Sequence, residues 1–272
     1  MKDGVIVTGA TGSMGAAAVE ALALKGIPVI MACRNLQKAE AVRNAILGKV
    51  PSADIEIRLV DMASIASVRS FAEGVEAGSA AALFNNAGVI SKGYSVTADG
   101  FENTFSVNYY GPWLLTQLLL PKLPEDARIV NMVSLTCRFA PLDEQTLHPT
   151  EKDFTQLGTY ARSKRALISY SMELARRHPS LRVNLADPGI VASDMIDLGH
   201  WYDPLADAIF KPFCRRPQAG VQPALRALSS EAHNRFFIGK GDRAIPARYL
   251  DSELYARIWD ATEKALTLSK TS

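Results

Sequence analysis

Residues 5–15 read Val5-Ile6-Val7-Thr8-Gly9-Ala10-Thr11-Gly12-Ser13-Met14-Gly15, a short apolar run followed directly by a turn with three glycines. A helical pattern follows over residues 16–25. A buried strand, a glycine-rich turn and a helix N-terminus together aim backbone N–H groups at a pyrophosphate. In that arrangement Gly9 allows the tight turn, Gly12 the close approach of a ligand, and Gly15 the packing of the helix on the strand. Taken alone, the motif is also compatible with an ordinary glycine-rich loop.

The alternation of short apolar strands and helical patterns continues as far as residue 186. Further strands are predicted over residues 28–33, 55–60, 128–134 and 181–186, and one starts at residue 82. Alternation of this kind implies right-handed β-α-β crossovers. We therefore expect one α/β domain over residues 1–272, built on a doubly wound parallel sheet, with its dinucleotide-binding half mainly in residues 1–90.

The composition excludes several classes of protein. The 272 residues are 48% hydrophobic and 21% charged, and the net charge is +2 with both signs interspersed, which indicates one sizeable core and no nucleic-acid partner. Three scattered cysteines and four unclustered histidines give no metal-ligand spacing, so no metal is expected. The first strand starts close to Met1 and no apolar stretch reaches the roughly 18 residues of a membrane span, so we expect a cytoplasmic protein.

Tyr160 and Lys164 lie one helical turn apart in Thr159-Tyr-Ala-Arg-Ser-Lys164. Positions i and i+4 share a helix face, and an ammonium beside a phenol favours the phenolate. A free tyrosine titrates near ~10, and lowering that pKa by roughly 3 units takes about 4 kcal/mol of differential stabilisation. The pair therefore predicts a phenol that exchanges protons near neutral pH. Alone, this spacing is also typical of a solvated helix face.

Polar motifs follow the ends of the predicted strands, where ligands of open α/β sheets bind. They are Asp61 after the third strand, Asn85-Asn86-Ala87-Gly88 after the fourth, Asn108 on the next helical pattern, Ser134 after the fifth strand and Pro188-Gly189 after the sixth. Their common position predicts one site at the carboxyl edge of the sheet.

In order and spacing, these motifs resemble the short-chain dehydrogenase/reductase family over nearly the whole chain. The resemblance implies a Rossmann-type fold. Residues 32–35, 97–102, 173–177 and 255–259, with the long interval between Ser134 and Tyr160, are similar to the retinol dehydrogenase branch and related NADP-dependent carbonyl reductases.

The resemblance implies an oxidoreductase that interconverts an alcohol and a carbonyl on a lipophilic small molecule. Tyr160 would be the proton donor in reduction and the base in oxidation, and Lys164 would lower its pKa and hold the nicotinamide ribose. Ser134 would donate a hydrogen bond to the substrate oxygen, where negative charge grows in the transition state. Asn108 would hold a water that links Lys164 to solvent.

The cofactor prediction depends mainly on Arg34. In dinucleotide folds an acid at the end of the second strand selects NAD, and here that end carries Cys33 followed by Arg34. The guanidinium of Arg34 suits a 2′-phosphate, so NADP(H) is expected to be preferred, with NAD(H) as the alternative if Arg34 is a surface residue. The residues expected to contact the cofactor are Gly9, Thr11, Gly12, Ser13, Met14, Gly15, Arg34, Asn35, Asp61, Met62, Asn86, Ala87, Gly88, Tyr160, Lys164, Pro188, Gly189, Val191 and Ser193.

One departure from the family pattern leaves alternatives open. The usual turn places a glycine at the position of Ser13, whereas the Gly-x-x-Gly-x-x-Gly order here is more like the extended branch that acts on sugar nucleotides. The turn also lacks the basic residue often found in NADP-preferring members. A sugar-nucleotide enzyme, a C=C reductase and a catalytically silent NADP-binding sensor therefore remain alternatives.

Two long connections interrupt the alternation, at residues 135–158 and 194–217. Their aromatic content argues against simple disorder, so we expect two walls of an apolar substrate cleft, with the second acting as a lid. An oligomer contact is the alternative for the second connection. A homodimer or homotetramer is possible, because helices around residues 103–120 and 159–177 pair subunits in many relatives.

Overall fold

The computed structural model describes residues 4–191 and 215–268, and within them eight strands form one sheet. The strands are β1 Gly4–Thr8, β2 Val29–Cys33, β3 Ile55–Leu59, β4 Ala80–Asn85, β5 Arg128–Met132, β6 Arg182–Asp187, β7 Arg235–Ile238 and β8 Gly241–Ala244. Their order is β3-β2-β1-β4-β5-β6-β7-β8, and every neighbouring pair is parallel except β7 and β8. This confirms the doubly wound α/β sheet and adds an antiparallel edge strand.

Helices cover both faces of the sheet. They are α1 Ser13–Ala23, α2 Leu36–Leu47, α3 Ile65–Gly74, α4 Asn103–Phe105, α5 Gly111–Leu119, α6 Gln156–Arg177, α7 Pro217–Gly220, α8 Gln222–Ser229 and α9 Ser252–Leu268. A π-helical turn, Ser106–Tyr110, joins α4 to α5, where the sequence predicted one continuous helical pattern. Such π turns are frequent at functional sites, and this one carries Asn108.

The alternation of side chains along each strand divides the core into two layers. Val5 and Val7 of β1 pack with α1, α2 and α8, whereas Ile6 between them packs with α3, α5, α6 and α9. All five β1 residues are buried, as expected for a parallel strand covered on both faces.

The six strands predicted from the sequence are present within a few residues of their expected bounds, but β7 and β8 were missed. Both have four residues, and all four residues of β8 are exposed, so no alternation of apolar and polar residues marks it. The turn between them contains Gly239, whose φ of 57° favours glycine. This hairpin extends the sheet beside β6.

The two long connections differ in what the structure describes. Residues 135–158 form three short 3₁₀ turns, Leu135–Phe139, Gln145–Leu147 and Glu151–Asp153, and then enter α6. The predicted second wall, residues 194–217, lies outside the described residues except for Arg215 to Pro217.

The C-terminal helix α9 packs on the two helices that were expected to pair subunits. The Trp259 ring lies 5.3 Å from the Trp113 ring of α5 and 5.6 Å from the Tyr170 ring of α6, measured between centroids. A 2.6 Å hydrogen bond joins the Tyr109 hydroxyl to Thr262 Oγ1. The chain thus covers part of these helices itself, and the oligomeric state stays a prediction. In residues 4–191 and 215–268, no helix combines the length and apolar character needed to cross a bilayer.

We expect Trp259→Ala to lower the free energy of unfolding by about 3–5 kcal/mol, because Trp259 is only 5% exposed and its removal leaves a large cavity. Urea denaturation followed by circular dichroism measures the change. Leu24→Ala is the control, because Leu24 is 65% exposed. A loss below about 1 kcal/mol for Trp259→Ala would mean that α9 does not contribute to the core.

Candidate active site and cofactor cleft

A cleft of about 650 Å³ opens at the carboxyl ends of β1, β2 and β4. This is the topological switch point, because β1 lies between β2 and β4 and the chain leaves it in opposite directions. Thirteen of the residues expected to contact the cofactor line it: Gly9, Thr11, Gly12, Ser13, Met14, Gly15, Arg34, Asn35, Asp61, Met62, Asn86, Ala87 and Gly88. Ala32, Cys33, Lys38, Val60, Val89, Ile90 and Val107 complete the lining and were not expected.

The glycine turn has the geometry that the sequence predicted. Gly9 has a φ of 63°, and a Cβ there would lie 2.8 Å from the Ala87 Cα. A Cβ on Gly15 would lie 2.2 Å from the Gly9 carbonyl oxygen, so only glycine lets α1 start this close to β1. Gly12 caps α1 without a side-chain hydrogen bond, and the first turn carries no acid, so the amide groups of that turn suit an anion.

Thr8 and Asn86 connect the ends of β1 and β4. The Thr8 hydroxyl accepts hydrogen bonds from the backbone N–H groups of Asn86 and Ala87, both at 3.0 Å. The Asn86 amide donates to the Thr8 carbonyl at 2.9 Å, and its own side-chain oxygen is buried without a partner. That free acceptor in the cleft is suited to a donor group on a bound ligand.

The outer end of the cleft is basic. Arg34 and Lys38 both line it, and both are exposed. Asn35 caps α2 by accepting a 2.8 Å hydrogen bond from the Lys38 backbone N–H, which fixes the turn that carries both cations. Lys38 was not predicted from the sequence. Its position three residues after Asn35, a residue type that often caps helices, could have indicated that it lies in the same turn as Arg34.

Asp61 and Met62 form the wall after β3. The Asp61 carboxylate accepts a 2.9 Å hydrogen bond from the Ala63 N–H, so it shapes its own turn. Met62 is buried, and a Cβ on Gly111 would lie 2.6 Å from the Met62 carbonyl oxygen. Gly111 therefore lets α5 pass against this wall.

Asn108 is fully buried and fixes the strand end that leads into the cleft. Its side-chain oxygen accepts from the Val89 N–H at 2.8 Å, and its amide donates to the Val89 carbonyl and to Ser163 Oγ, both at 3.0 Å. A Cβ on Gly88 would lie 3.4 Å from both the Asn108 oxygen and the Lys164 Nζ. Lys164 and Asn108 therefore meet at Gly88, at the inner end of the cleft.

Lys164 is buried and its ammonium donates a 2.9 Å hydrogen bond to the Met132 carbonyl. Burial lowers the pKa of Lys164 to about 8. No described carboxylate is within ion-pair distance, so removal from water dominates its electrostatics.

The expected lowering of the Tyr160 pKa is wrong for the protein as the structure shows it. Burial raises the pKa of Tyr160 to about 12, a side-chain hydrogen bond with Ser134 opposes this, and Asp187 and Cys137 raise it further. The Lys164 Nζ lies 5.9 Å from the Tyr160 ring centroid, and its hydrogen bond goes to Met132 instead. The ammonium is therefore not the dominant influence on the phenol.

Ser134 stands at the end of β5 and begins the first 3₁₀ turn. Its hydroxyl accepts a 3.0 Å hydrogen bond from the Thr136 hydroxyl, and the Cys137 thiol donates to its carbonyl at 2.6 Å. Cys137 is 1% exposed, and its sulfur is 3.8 Å from the Tyr249 hydroxyl. Tyr249, close to α9 in the chain, is thus a neighbour of the Ser134 turn that was not predicted from the sequence.

The segment after β6 approaches the glycine turn from the other side. The Asp187 carboxylate accepts a 2.7 Å hydrogen bond from the Gly189 N–H, and Gly189 has a φ of 73°. A Cβ on Gly220 would lie within 3.4 Å of both Val191 and Met14. Because Met14 lines the cleft, Val191 lies beside the cleft. Pro188 and Gly189 do not line the cleft itself. Ser193 lies outside the described residues.

The chemistry of the site is that of acid/base and anion-binding groups. In the described ranges, 4–191 and 215–268, no group of three or more His, Cys, Asp or Glu side chains is placed to hold a metal ion. The structure brings Lys164 and Asn108 together beside Gly88, which lines the cleft, and the Lys164 ammonium lies 5.9 Å from the Tyr160 ring centroid. The side chains of Asn108, Ser134, Tyr160 and Lys164 do not themselves line this cleft.

Comparison with known proteins agrees with this geometry. The short chain dehydrogenase family model matches residues 3–200. Human retinol dehydrogenase 13 is 31% identical over 98% of this chain and 86% of its own length, and human retinol dehydrogenase 11 is 33% identical over 95% and 84%.

Two solved structures share the fold. A structure of an uncharacterised protein from Mycobacterium paratuberculosis has a TM-score of 0.81 at 27% identity, covering 98% of this chain and 94% of that one. A short-chain dehydrogenase from Sphingobium yanoikuyae, solved in complex with NADPH, has a TM-score of 0.66 at 20% identity, covering 99% and 96%.

The chain therefore belongs to the short-chain dehydrogenase family, in its retinol dehydrogenase-like branch, as an NAD(P)-dependent oxidoreductase that interconverts alcohols and carbonyls.

Proposed function

We propose that this enzyme uses NADP(H) to interconvert a carbonyl and an alcohol on a small molecule with an apolar body, with Tyr160 as the acid/base. The observation that carries this proposal is the proximity of three side chains beside the cleft. The buried Lys164 ammonium lies against Gly88, which lines the cleft, and 5.9 Å from the Tyr160 ring centroid, and the Ser134 hydroxyl lowers the pKa of Tyr160.

Tyr160 and Ser134 have complementary tasks at the substrate oxygen. With a pKa raised to about 12, the phenol holds its proton at neutral pH, which is the form that protonates the oxygen in carbonyl reduction. Ser134 would donate its hydroxyl hydrogen to the same oxygen, where negative charge develops. In alcohol oxidation the proton returns to Tyr160.

Lys164 and Asn108 support this pair. The Lys164 ammonium would hold the cofactor ribose and supply positive charge close to the phenol. Asn108 fixes Val89 and Ser163, and thereby the wall against which Lys164 lies. A water held near Asn108 would return protons to Lys164, as the family resemblance implies.

The cleft fits a dinucleotide. The uncapped N-terminus of α1 faces the place of the pyrophosphate, and the free side-chain oxygen of Asn86 offers an acceptor. When bound, the nicotinamide supplies the hydride. Pro188, Gly189, Val191 and Ser193 are proposed to close over it.

The preference for NADP(H) rests on Arg34 and Lys38. Both line the cleft after β2, and the strand ends at Cys33, where NAD-selective folds carry an acid. Two cations suit a 2′-phosphate better than a ribose hydroxyl. NADP and NADPH complexes among structures of the same fold are consistent with this choice.

An apolar substrate wall is supported by three large side chains near the catalytic groups. Phe139 ends the turn that Ser134 begins, Ile190 follows Gly189, and Leu157 lies three residues before Tyr160 on α6. Their exposures are 93%, 74% and 49%. Residues 194–217 are proposed as the second wall. The cytoplasmic location stays a prediction.

We expect Tyr160→Phe to lower kcat by about 10²–10⁴-fold with NADPH binding retained, because the variant loses only the proton-donating oxygen. Aldehyde reduction followed by NADPH absorbance, with cofactor titration by fluorescence, measures both. Tyr94→Phe is the matched control, because Tyr94 packs on Phe154 rather than on the catalytic groups. Near-normal turnover by Tyr160→Phe would refute the assignment of Tyr160 as the acid/base. Absence of turnover by wild type over a broad panel of carbonyl compounds would instead favour a silent sensor.

We expect Lys164→Met to abolish activity and yet raise the free energy of unfolding at pH 7 by about 2 kcal/mol. In the wild type, the fall of the Lys164 pKa from 10.5 to about 8 corresponds to a cost of roughly 3 kcal/mol for burying the charge. The variant avoids this cost but loses about 1 kcal/mol with the hydrogen bond to the Met132 carbonyl.

The pH dependence tests the same point. Below pH 8 Lys164 is protonated in both the folded and the unfolded wild type, so the full cost of burying its charge lowers the stability of the folded wild type. Between pH 8 and 10.5 the folded protein loses this proton first, so wild-type stability rises toward that of the variant. Urea titrations at pH 7 and pH 10 measure the difference, and a gap that does not shrink would contradict a buried charge.

We expect wild type to bind NADPH more tightly than NADH, and Arg34→Ala with Lys38→Ala to reduce NADPH affinity by about 10- to 100-fold with little effect on NADH. Cys33→Asp with Arg34→Ala is expected to reverse the preference, because the new carboxylate binds a ribose hydroxyl and repels the phosphate. Arg43→Gln on the same helix is the control, because Arg43 pairs with Glu40. Equal affinity of wild type for both cofactors would make Arg34 a solvated loop residue.

A further inference from the structure

The Ser134 hydroxyl is oriented by a neighbour in its own turn. Ser134 has an extended backbone and precedes the 3₁₀ turn Leu135–Phe139. Its hydroxyl oxygen accepts hydrogen bonds from the Thr136 hydroxyl at 3.0 Å and from the Thr136 backbone N–H at 3.3 Å. A serine hydroxyl has one donor hydrogen and two acceptor sites, and Thr136 occupies both acceptor sites. The hydrogen of the Ser134 hydroxyl is therefore left for an acceptor outside the turn.

The Ser134 carbonyl is held by Cys137. The Cys137 backbone N–H donates to it at 3.2 Å and the Cys137 thiol donates to it at 2.6 Å. A thiol has a single hydrogen, so the Cys137 sulfur can only accept from the Tyr249 hydroxyl, which lies 3.8 Å away. Cys137 and Tyr249 are 1% and 2% exposed, so water cannot replace either partner. A buried series of donors thus leads from Tyr249 through Cys137 to the Ser134 carbonyl.

Tyr249 is in turn fixed to α6. It ends the 3₁₀ turn Ala247–Tyr249, and the Arg165 guanidinium of α6 lies 4.4 Å from its ring centroid. Arg165 also donates a 2.9 Å hydrogen bond to the Arg248 carbonyl, and the Arg248 guanidinium lies 4.9 Å from the Tyr249 ring centroid. Guanidinium groups over an aromatic ring are attracted to its face. Because Arg165 follows Lys164 directly, the Tyr249 hydroxyl is placed from the helix that carries the catalytic residues.

These contacts connect two groups that the reaction needs at a fixed distance. Ser134 follows β5, whereas Tyr160 lies on α6, and the chain between them passes through the long connection 135–158. The contacts of Tyr249 join the Ser134 turn to α6 without passing through that connection. A catalytic group displaced by about 1 Å can lose about 10²-fold in rate, so such a link has a direct effect on turnover.

We propose that Tyr249 is a positioning residue for the reaction. Through Cys137 it holds the Ser134 turn against α6, so that Ser134 presents its hydroxyl hydrogen to the substrate oxygen. The inference rests on the proposed function, since it assigns a support to Ser134 in that reaction. Tyr249 acts through Cys137 and needs no contact with the substrate or the cofactor.

The first test is Tyr249→Phe, which removes the hydroxyl and keeps the ring that Arg165 contacts. In benzaldehyde reduction with NADPH we expect kcat to fall about 5- to 50-fold with KM and NADPH affinity unchanged, because the lost alignment acts in the transition state. Tyr170→Phe is the matched control, because Tyr170 is as buried as Tyr249 and the variant loses one hydrogen bond, from Gln117. Normal kcat in Tyr249→Phe, or an equal loss in the control, would overturn the proposal.

A double-mutant cycle tests whether Tyr249 acts through Ser134. Ser134→Ala alone is expected to lower kcat by about 10²-fold, as for other lost donors to a developing oxyanion. Adding Tyr249→Phe to Ser134→Ala should lower kcat no further, because no hydroxyl is left to align. A general structural role of Tyr249 would lower kcat by the same factor in both backgrounds, and that result would contradict the inference.

Cys137 provides a second pair of variants if thermal melts show that Tyr249→Phe is unfolded. Cys137→Ser keeps a donor for the Ser134 carbonyl, whereas Cys137→Ala removes it. We expect Cys137→Ser to retain most of the wild-type kcat and Cys137→Ala to lose about as much as a 5- to 50-fold misalignment predicts. Equal kcat values for the two variants would count against the inference.

Hydrogen exchange separates failure of this inference from failure of the proposed function. The backbone N–H groups of Cys137 and Ala140 are bonded within the turn at 3.2 and 3.3 Å. Tyr249→Phe should speed their exchange, measured by mass spectrometry on peptides spanning residues 134–140, and Tyr170→Phe should not. Unchanged exchange in Tyr249→Phe overturns the inference whatever the activity.

The kinetic results distinguish the same two failures. Full activity of Tyr249→Phe, together with the expected losses in Ser134→Ala and Tyr160→Phe, would refute the inference and leave the proposed function intact. Normal turnover by Tyr160→Phe, together with reduced turnover by Tyr249→Phe that vanishes in the Ser134→Ala background, would refute Tyr160 as the acid/base and support the positioning of Ser134 by Tyr249.

Discussion

The two hydrogen bonds that the Thr8 hydroxyl accepts from the N–H groups of Asn86 and Ala87 hold the site together. They join the ends of two neighbouring parallel strands at the point where the chain departs to opposite faces of the sheet. The contact brings Ala87 so close to Gly9 that a side chain on Gly9 has no room. This contact therefore fixes the relative positions of the start of α1, the glycine turn before it and the segment after β4 that carries Gly88.

Burial, and not charge pairing, has the largest effect on the pKa values of Lys164, Tyr160 and Asp187. Lys164 and Asp187 are buried and Tyr160 is half-buried, and the pKa of each is shifted in the direction that favours its neutral form. Buried groups of this kind cost stability unless partners are supplied. The partners in the described chain are few, such as the Met132 carbonyl for Lys164 and the Gly189 N–H for Asp187. Such a site is suited to ligands that bring their own hydrogen-bonding and charged groups.

Segments far from the motifs complete the site. The Tyr249 hydroxyl contacts the thiol of Cys137 in the Ser134 turn. The guanidinium groups of Arg165 and Arg248 lie 4.4 and 4.9 Å from the centroid of the Tyr249 ring. The β7–β8 hairpin extends the sheet from β6 and places the Arg243 guanidinium over the Phe236 ring of β7. Through the contact of Tyr249 with Cys137, the C-terminal part of the chain is connected directly to the turn that Ser134 begins.

By itself, the sequence determined the sheet up to β6, the glycine turn and thirteen of the twenty residues that line the cleft. These features depend on local patterns: apolar strands, glycines that allow close approach, and polar residues at strand ends that must meet at one edge of a parallel sheet. Spacing also indicated that Tyr160 and Lys164 share a helix face. Only the tertiary structure decided how that pair behaves, because the pKa of Tyr160 depends on burial and on Asp187 and Ser134, which lie elsewhere in the chain. The same holds for Tyr249, because its contact with Cys137 joins distant segments and no local pattern records it.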